Sequence, residues 1–78
     1  MFERSIKGYN EATKDGKEAA VEFCQNWQRL IRRDSLELAQ NMTAKKIELA
    51  FYNKKRKELN DETKNLNDCI KSLNKRFS

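Results

Sequence analysis

The stretch EAAVEFCQNWQRLIRRDSLELAQNMT, residues 18 to 43, constrains this chain most, because it combines the only tryptophan with the most regular apolar spacing in the sequence. Ala20, Phe23, Trp27, Leu30, Ile31, Leu38 and Met42 recur mostly at three- or four-residue steps, the repeat of one helix face. Glu22, Gln25, Asn26, Gln28, Arg29, Arg32, Arg33, Glu37, Gln40 and Asn41 fill the gaps, so the opposite face is wet and one stripe must be buried. The spacing predicts a helix over residues 17 to 42, about 40 Å long at 1.5 Å per residue. Asp34 and Ser35 interrupt its stripe, either by fixing register or through a rotation of the apolar face.

Upstream, Phe2, Ile6, Tyr9 and Ala12 continue the stripe and predict a helix over residues 2 to 14. Gly16 marks either a break after it or a close helix approach, since glycine serves both purposes. Asp15 is a candidate cap for the central helix, with Glu18 as the acidic residue three positions on. Downstream, Asn41 and Thr43 are weak helix formers in a segment without glycine or proline; a turn at residues 43 to 46 is expected, with Thr43 capping the next helix.

A second stripe, Ile47, Phe51, Leu59, Leu66, Ile70, Leu73 and Phe77, predicts a polar helix over residues 47 to 76. Folding the chain back at the turn sets Met42 against Ile47, Leu38 against Phe51, Leu30 against Leu59 and Phe23 against Leu66. Toward the open end small residues meet large ones: Ala19 with Ile70, Gly16 with Leu73, Ala12 with Phe77. A register one turn away pairs nearly as well. The expected fold is therefore all-α, a single domain built as an antiparallel helical hairpin of two long helices. One uninterrupted helix in a multi-chain coiled coil is the competing arrangement.

Composition says what such a hairpin lacks. Of 78 residues, 37% are hydrophobic and 37% charged, with no proline, which suits long solvent-washed helices and argues against sheet. A chain this short buries only about 60% of its unfolded surface. The hairpin is therefore expected to oligomerise as a coiled coil or bundle, or to cover an apolar body. Phe2, Ile6 and Tyr9 overhang the hairpin, and pack on a second copy or fold back at Gly16 as a short third helix.

Catalysis is not expected. The chain has no histidine to serve as base, no phosphate-binding glycine loop, and carboxylates such as Glu58, Asp61 and Glu62 that suit an exposed ion-paired face. Cys24 and Cys69 are read as free thiols; without histidine they cannot complete a zinc site within one protomer, and no cofactor is implied. The N-terminus has no continuous apolar segment, so neither a signal peptide nor a membrane span is expected, and the expected location is cytoplasmic.

Two candidate surfaces remain. The apolar interface or adsorption surface comprises Phe23, Trp27, Leu30, Ile31, Leu38, Met42, Phe51, Leu59, Leu66, Ile70, Leu73 and Phe77. Burial in a core or interface is the plainer assignment for Phe23, Trp27 and Tyr52, given the area each covers. The net charge of +5 directs attention to a possible anionic-partner patch of Arg29, Arg32, Arg33, Lys45, Lys46, Lys54, Lys55, Arg56 and Lys57, which the hairpin brings together near its turn. A solvated charged face is the plainer account of it, diluted by Glu37, Glu48 and Glu58.

Residues 9 to 43 also carry Tyr9 and Asn10, the run Gly16 to Ala19, Phe23 and Trp27 followed by Gln28 and Leu30, and then Arg33, Ser35, Leu36, Glu37 and Ala39. This half of the chain resembles the first half of a phasin domain, found in small helical proteins that coat polyhydroxyalkanoate granules. The chain is shorter and more basic than phasins, and Thr43 to Lys46 replaces their usual Pro-Gln loop. The resemblance implies a non-catalytic homo-oligomer that adsorbs to a storage granule or lipid-like surface. The alternative, from charge, is a small basic helical adaptor or regulator that binds nucleic acid or an acidic protein.

Overall fold

A computed structural model describes residues 3 to 77, and Phe2 of the first stripe lies outside them. Three helices succeed one another along the chain: α1 (Ile6–Thr13), α2 (Lys17–Thr43) and α3 (Leu49–Arg76). α2 and α3 pack antiparallel as the hairpin, in a body 44 Å long and 18 Å across.

The N-terminal segment takes the second of its two options and folds back on the hairpin. α1 begins at Ile6 rather than residue 2, because the Ser5 hydroxyl caps it by accepting the Gly8 amide at 3.1 Å. The break falls at Gly16, whose φ of +106° favours glycine; a side chain there would meet nothing within 4 Å, so close packing is not its role. Gly16 is itself the N-cap of α2 and makes no side-chain cap, so the cap expected of Asp15 is not formed. Close approach belongs instead to Gly8, where an added Cβ would collide with the Glu3 carbonyl and lie 3.0 Å from the Phe23 ring.

The second turn lies later than expected. Thr43 ends α2 rather than capping α3, and α3 starts at Leu49, not residue 47. The chain leaves α2 by a paired closure: the Lys46 amide donates to the Asn41 carbonyl at 2.9 Å and the Lys45 amide to the Met42 carbonyl at 3.1 Å. Lys45 holds the left-handed position, φ 59°, that glycine usually fills. No sequence signal announces a left-handed lysine. Ile47 is thereby left in the linker, half-buried, and Glu48 precedes α3 without a side-chain cap.

The core sits between the three helices toward the open end of the hairpin. Tyr9, Ala20, Phe23, Cys24, Trp27, Ile31, Leu66, Cys69 and Leu73 form one buried cluster, with Ala12, Val21, Ile70 and Phe77 packed around it. Trp27 is wholly enclosed. Its neighbour Phe23 meets it edge-on at 5.8 Å between centroids, and the Tyr9 ring of α1 lies 6.5 Å from Phe23 on the other side. The thin apolar composition thus gathers a core within one chain, because α1 supplies the third wall that a bare hairpin lacks.

Candidate functional site

Sequence reasoning missed the polar arrangement that ties these helices together. The Trp27 indole N–H donates to Glu62 Oε1 at 3.0 Å, which satisfies the one polar atom of a buried ring. Trp27 and Glu62 stand one turn along each helix from Leu30 and Leu59, which fits the register that pairs those leucines. Arg4, just ahead of α1, donates through Nε and Nη2 to both oxygens of Glu62, at 2.9 and 3.2 Å, and through Nη1 to Asp34 Oδ2 at 2.6 Å. All three side chains are about a quarter exposed, so the fork is partly screened yet still closes α1 against both long helices. Asp34, the break in the α2 stripe, is the signal that could have revealed it.

The expected apolar surface divides by depth. Phe23, Trp27, Ile31, Leu38, Leu59, Leu66 and Leu73 are buried, Leu30, Met42, Ile70 and Phe77 are half-buried, and Phe51 is exposed. Beyond α1, toward the turn, an open groove of about 410 Å³ runs between α2 and α3, floored by Leu38 and Leu59 with Phe51 at its edge. Glu37 stands on one wall and Lys55 on the other. Tyr52 is half-buried.

All nine residues of the basic patch are exposed, but they do not share one surface. Lys55 leans over the Phe51 ring and pairs with Glu58 at 3.3 Å on the groove side. Arg33 approaches Asp34 at 3.6 Å, and Arg29 lies beside Glu18 and Glu22 on the outer edge of α2. Arg56 points the other way, across the hairpin face turned from α1, where it reaches Ser35 Oγ at 3.5 Å. Arg32, one turn before Ser35, shares that face. Lys45 and Lys46 cap the turn end.

The two cysteines are free and buried in the core cluster. Burial pushes the Cys24 thiol up, and burial, with smaller contributions from the charges of Cys24 and Asp68, pushes Cys69 up to about 11. Both are therefore protonated at neutral pH and make poor nucleophiles. The Tyr9 hydroxyl is buried without a hydrogen-bond partner among the described residues, a cost of about 1–3 kcal/mol set against the burial of its ring. Those residues contain no cluster of three or more Cys, Asp or Glu suited to a metal. None of their helices is long and apolar enough to cross a membrane.

Comparison with known proteins finds no family model, no curated protein and no solved structure that matches this chain, so the likeness to phasins rests on the residues quoted for it alone.

Proposed function

We propose that this chain is a non-catalytic helical binding module that uses its basic exterior to engage an anionic macromolecule. One observation carries the reading: the apolar stripe that would serve an adsorbing surface is largely consumed by the protein's own core, whereas every residue of the basic patch remains in solvent. Trp27, the largest side chain of that stripe, has no exposed surface. A cationic exterior over a closed core attracts polyanions through the field it makes.

The phasin-like reading, adsorption to a granule or lipid-like surface, is favoured by a different feature. Gly16 joins α1 to α2 with open space around it, so swinging α1 away would uncover Phe23 and Trp27 for an apolar body. Self-association belongs to either reading. The groove of Leu38, Phe51 and Leu59 presents a carboxylate and an ammonium on opposite walls, which a second copy would complement.

A salt titration separates the two. Binding to a polyanion should weaken steeply as salt rises, through counterion release. Adsorption to apolar particles should persist in high salt, because apolar burial drives it. Retention on apolar beads at high salt, with no affinity for any polyanion at low salt, would replace the first reading by the second.

A further inference from the structure

We infer that the hairpin face turned away from α1 binds the phosphodiester backbone of a nucleic acid. The inference rests on the anionic-partner reading and names both its surface and its partner. Arg56 and Ser35, joined at 3.5 Å, mark the middle of this face. Helical spacing adds Gln28 and Arg32 from α2, and Asn60, Thr63, Asn67 and Lys71 from α3, each exposed. Lys64 borders the same row.

What this face omits is as telling as what it carries. Asp34 and Glu62 are turned toward α1, where Arg4 bridges them, and Glu37 lines the groove on that side. Glu58 pairs with Lys55 there, while Glu18 and Glu22 stand on the outer edge of α2. Asp61 and Asp68, seven positions apart on one row of α3, flank Lys64 and mark the outer border of the face, away from α2. The result among the described residues is a strip free of carboxylates between Gln28 and Ser35 of α2 and between Arg56 and Lys71 of α3, about 22 Å long at 1.5 Å per residue. At 3.4 Å per base pair that length spans about six to seven base pairs of duplex, so a probe of about 12 base pairs covers it with room to spare.

Chemistry chooses among anionic partners. Phosphate and sugar oxygens accept from Arg and Lys and equally from Ser, Thr, Asn and Gln, which is the composition displayed here. A protein partner favours a prominent apolar or aromatic anchor at the centre of its interface, and the aromatic nearest the middle of this face, Tyr52 one turn before Arg56, is half-buried. A lipid surface needs exposed apolar side chains to insert, whereas Val21, Tyr52 and Ile70 beside this face are half-buried and the exposed Leu49 stands at the turn end.

The test is fluorescence anisotropy with a labelled duplex of about 12 base pairs, a single strand of the same length, and polyglutamate, each titrated over a range of salt. Arg32→Gln/Arg56→Gln, which removes two charges from the face, should lower affinity for the duplex or strand about tenfold or more and flatten the logarithmic salt slope by about 2. Lys64→Gln/Lys71→Gln should act in the same direction. Lys7→Gln/Lys14→Gln makes the same charge change on the α1 side and should alter affinity far less, with circular dichroism unchanged in all three. Equal losses in the α1 pair and the face pairs would overturn the assignment of the face. Tighter binding of polyglutamate than of either nucleic acid would overturn the partner while leaving the anionic reading standing. No binding of any probe at low salt would remove both.

Discussion

The two ends of the hairpin are built from similar helices and differ in what covers them. At the open end α1 lies across α2 and α3, Trp27 is enclosed, and its polar atom, Glu62, Arg4 and Asp34 form one connected set. At the turn end the same two helices continue without a third. Leu38 and Leu59 are buried there, but Phe51 of the second stripe, at the edge of the groove, is 46% exposed. The difference teaches that a stripe of three- and four-residue steps defines only a side to be buried; whether it is buried depends on a third surface. In this chain that surface is a helix of eight residues, about 12 Å at 1.5 Å per residue, against a body 44 Å long. Stability should therefore be concentrated at the open end, and local opening should begin at the turn.

Trp27→Ala is the strongest way to break this contrast. Truncating a fully buried tryptophan costs about 3–5 kcal/mol and here also removes a donor from Glu62. In a small domain with little stability to spare, the variant should unfold at room temperature or lose most of its denaturant midpoint by circular dichroism. A near-native midpoint would mean that the open end is not the stable half.

Gly8→Ala attacks the third surface alone. The new methyl meets backbone at Glu3, which cannot swing aside as a flexible side chain would, so α1 should shift at a cost of about 1–3 kcal/mol. Because the Trp27 environment depends on α1, its emission should move to the red while the helicity of α2 and α3 is kept. Unchanged emission would show that α1 contributes little to the enclosure.

Lys45→Gly sharpens the other end. The left-handed conformation at φ 59° costs a side-chain-bearing residue about 1 kcal/mol, and glycine relieves it at some expense in unfolded-state entropy. A rise in stability of a few tenths to about 1 kcal/mol is expected, with slower amide exchange in the last turn of α2. Destabilisation would indicate that the Lys45 side chain makes a contact worth more than the strain.

Phe51→Ala should have the smallest effect, within about 0.5 kcal/mol, since the ring is nearly half exposed and no third helix lies over it. Its value lies in sedimentation. If a second copy fills the groove, the variant should weaken self-association while leaving monomer stability alone.

Much of this fold is legible in the sequence, for reasons visible in particular residues. Ala20 to Met42 and Leu59 to Phe77 repeat at helical steps, so long helices follow from periodicity, and the contact of α2 with α3 decides for the hairpin over one uninterrupted helix. Gly16 reads as a break or a close contact; its φ of +106° and open surroundings decide for the break, while the close contact falls at Gly8. The turn is displaced because a lysine occupies a glycine-type position, which no propensity scale would select. On the exterior, the basic residues all stand in solvent, but adjacent residues on a helix point about 100° apart. Lys54, Lys55, Arg56 and Lys57 are one run in sequence and several surfaces in space.

By itself, then, the sequence determined that this protein is helical, that its two stripes must be buried, and that its net charge is positive, because periodicity and net charge are properties of the chain alone. Only the tertiary structure decided that Tyr9 rather than a foreign surface closes over Phe23, and that Arg4 joins Asp34 to Glu62. It also decided that Arg56 of α3 reaches Ser35 of α2 on the face of the hairpin opposite Arg4. Each of these depends on residues distant in sequence sharing one place, and that is set by how the helices cross rather than by any local pattern.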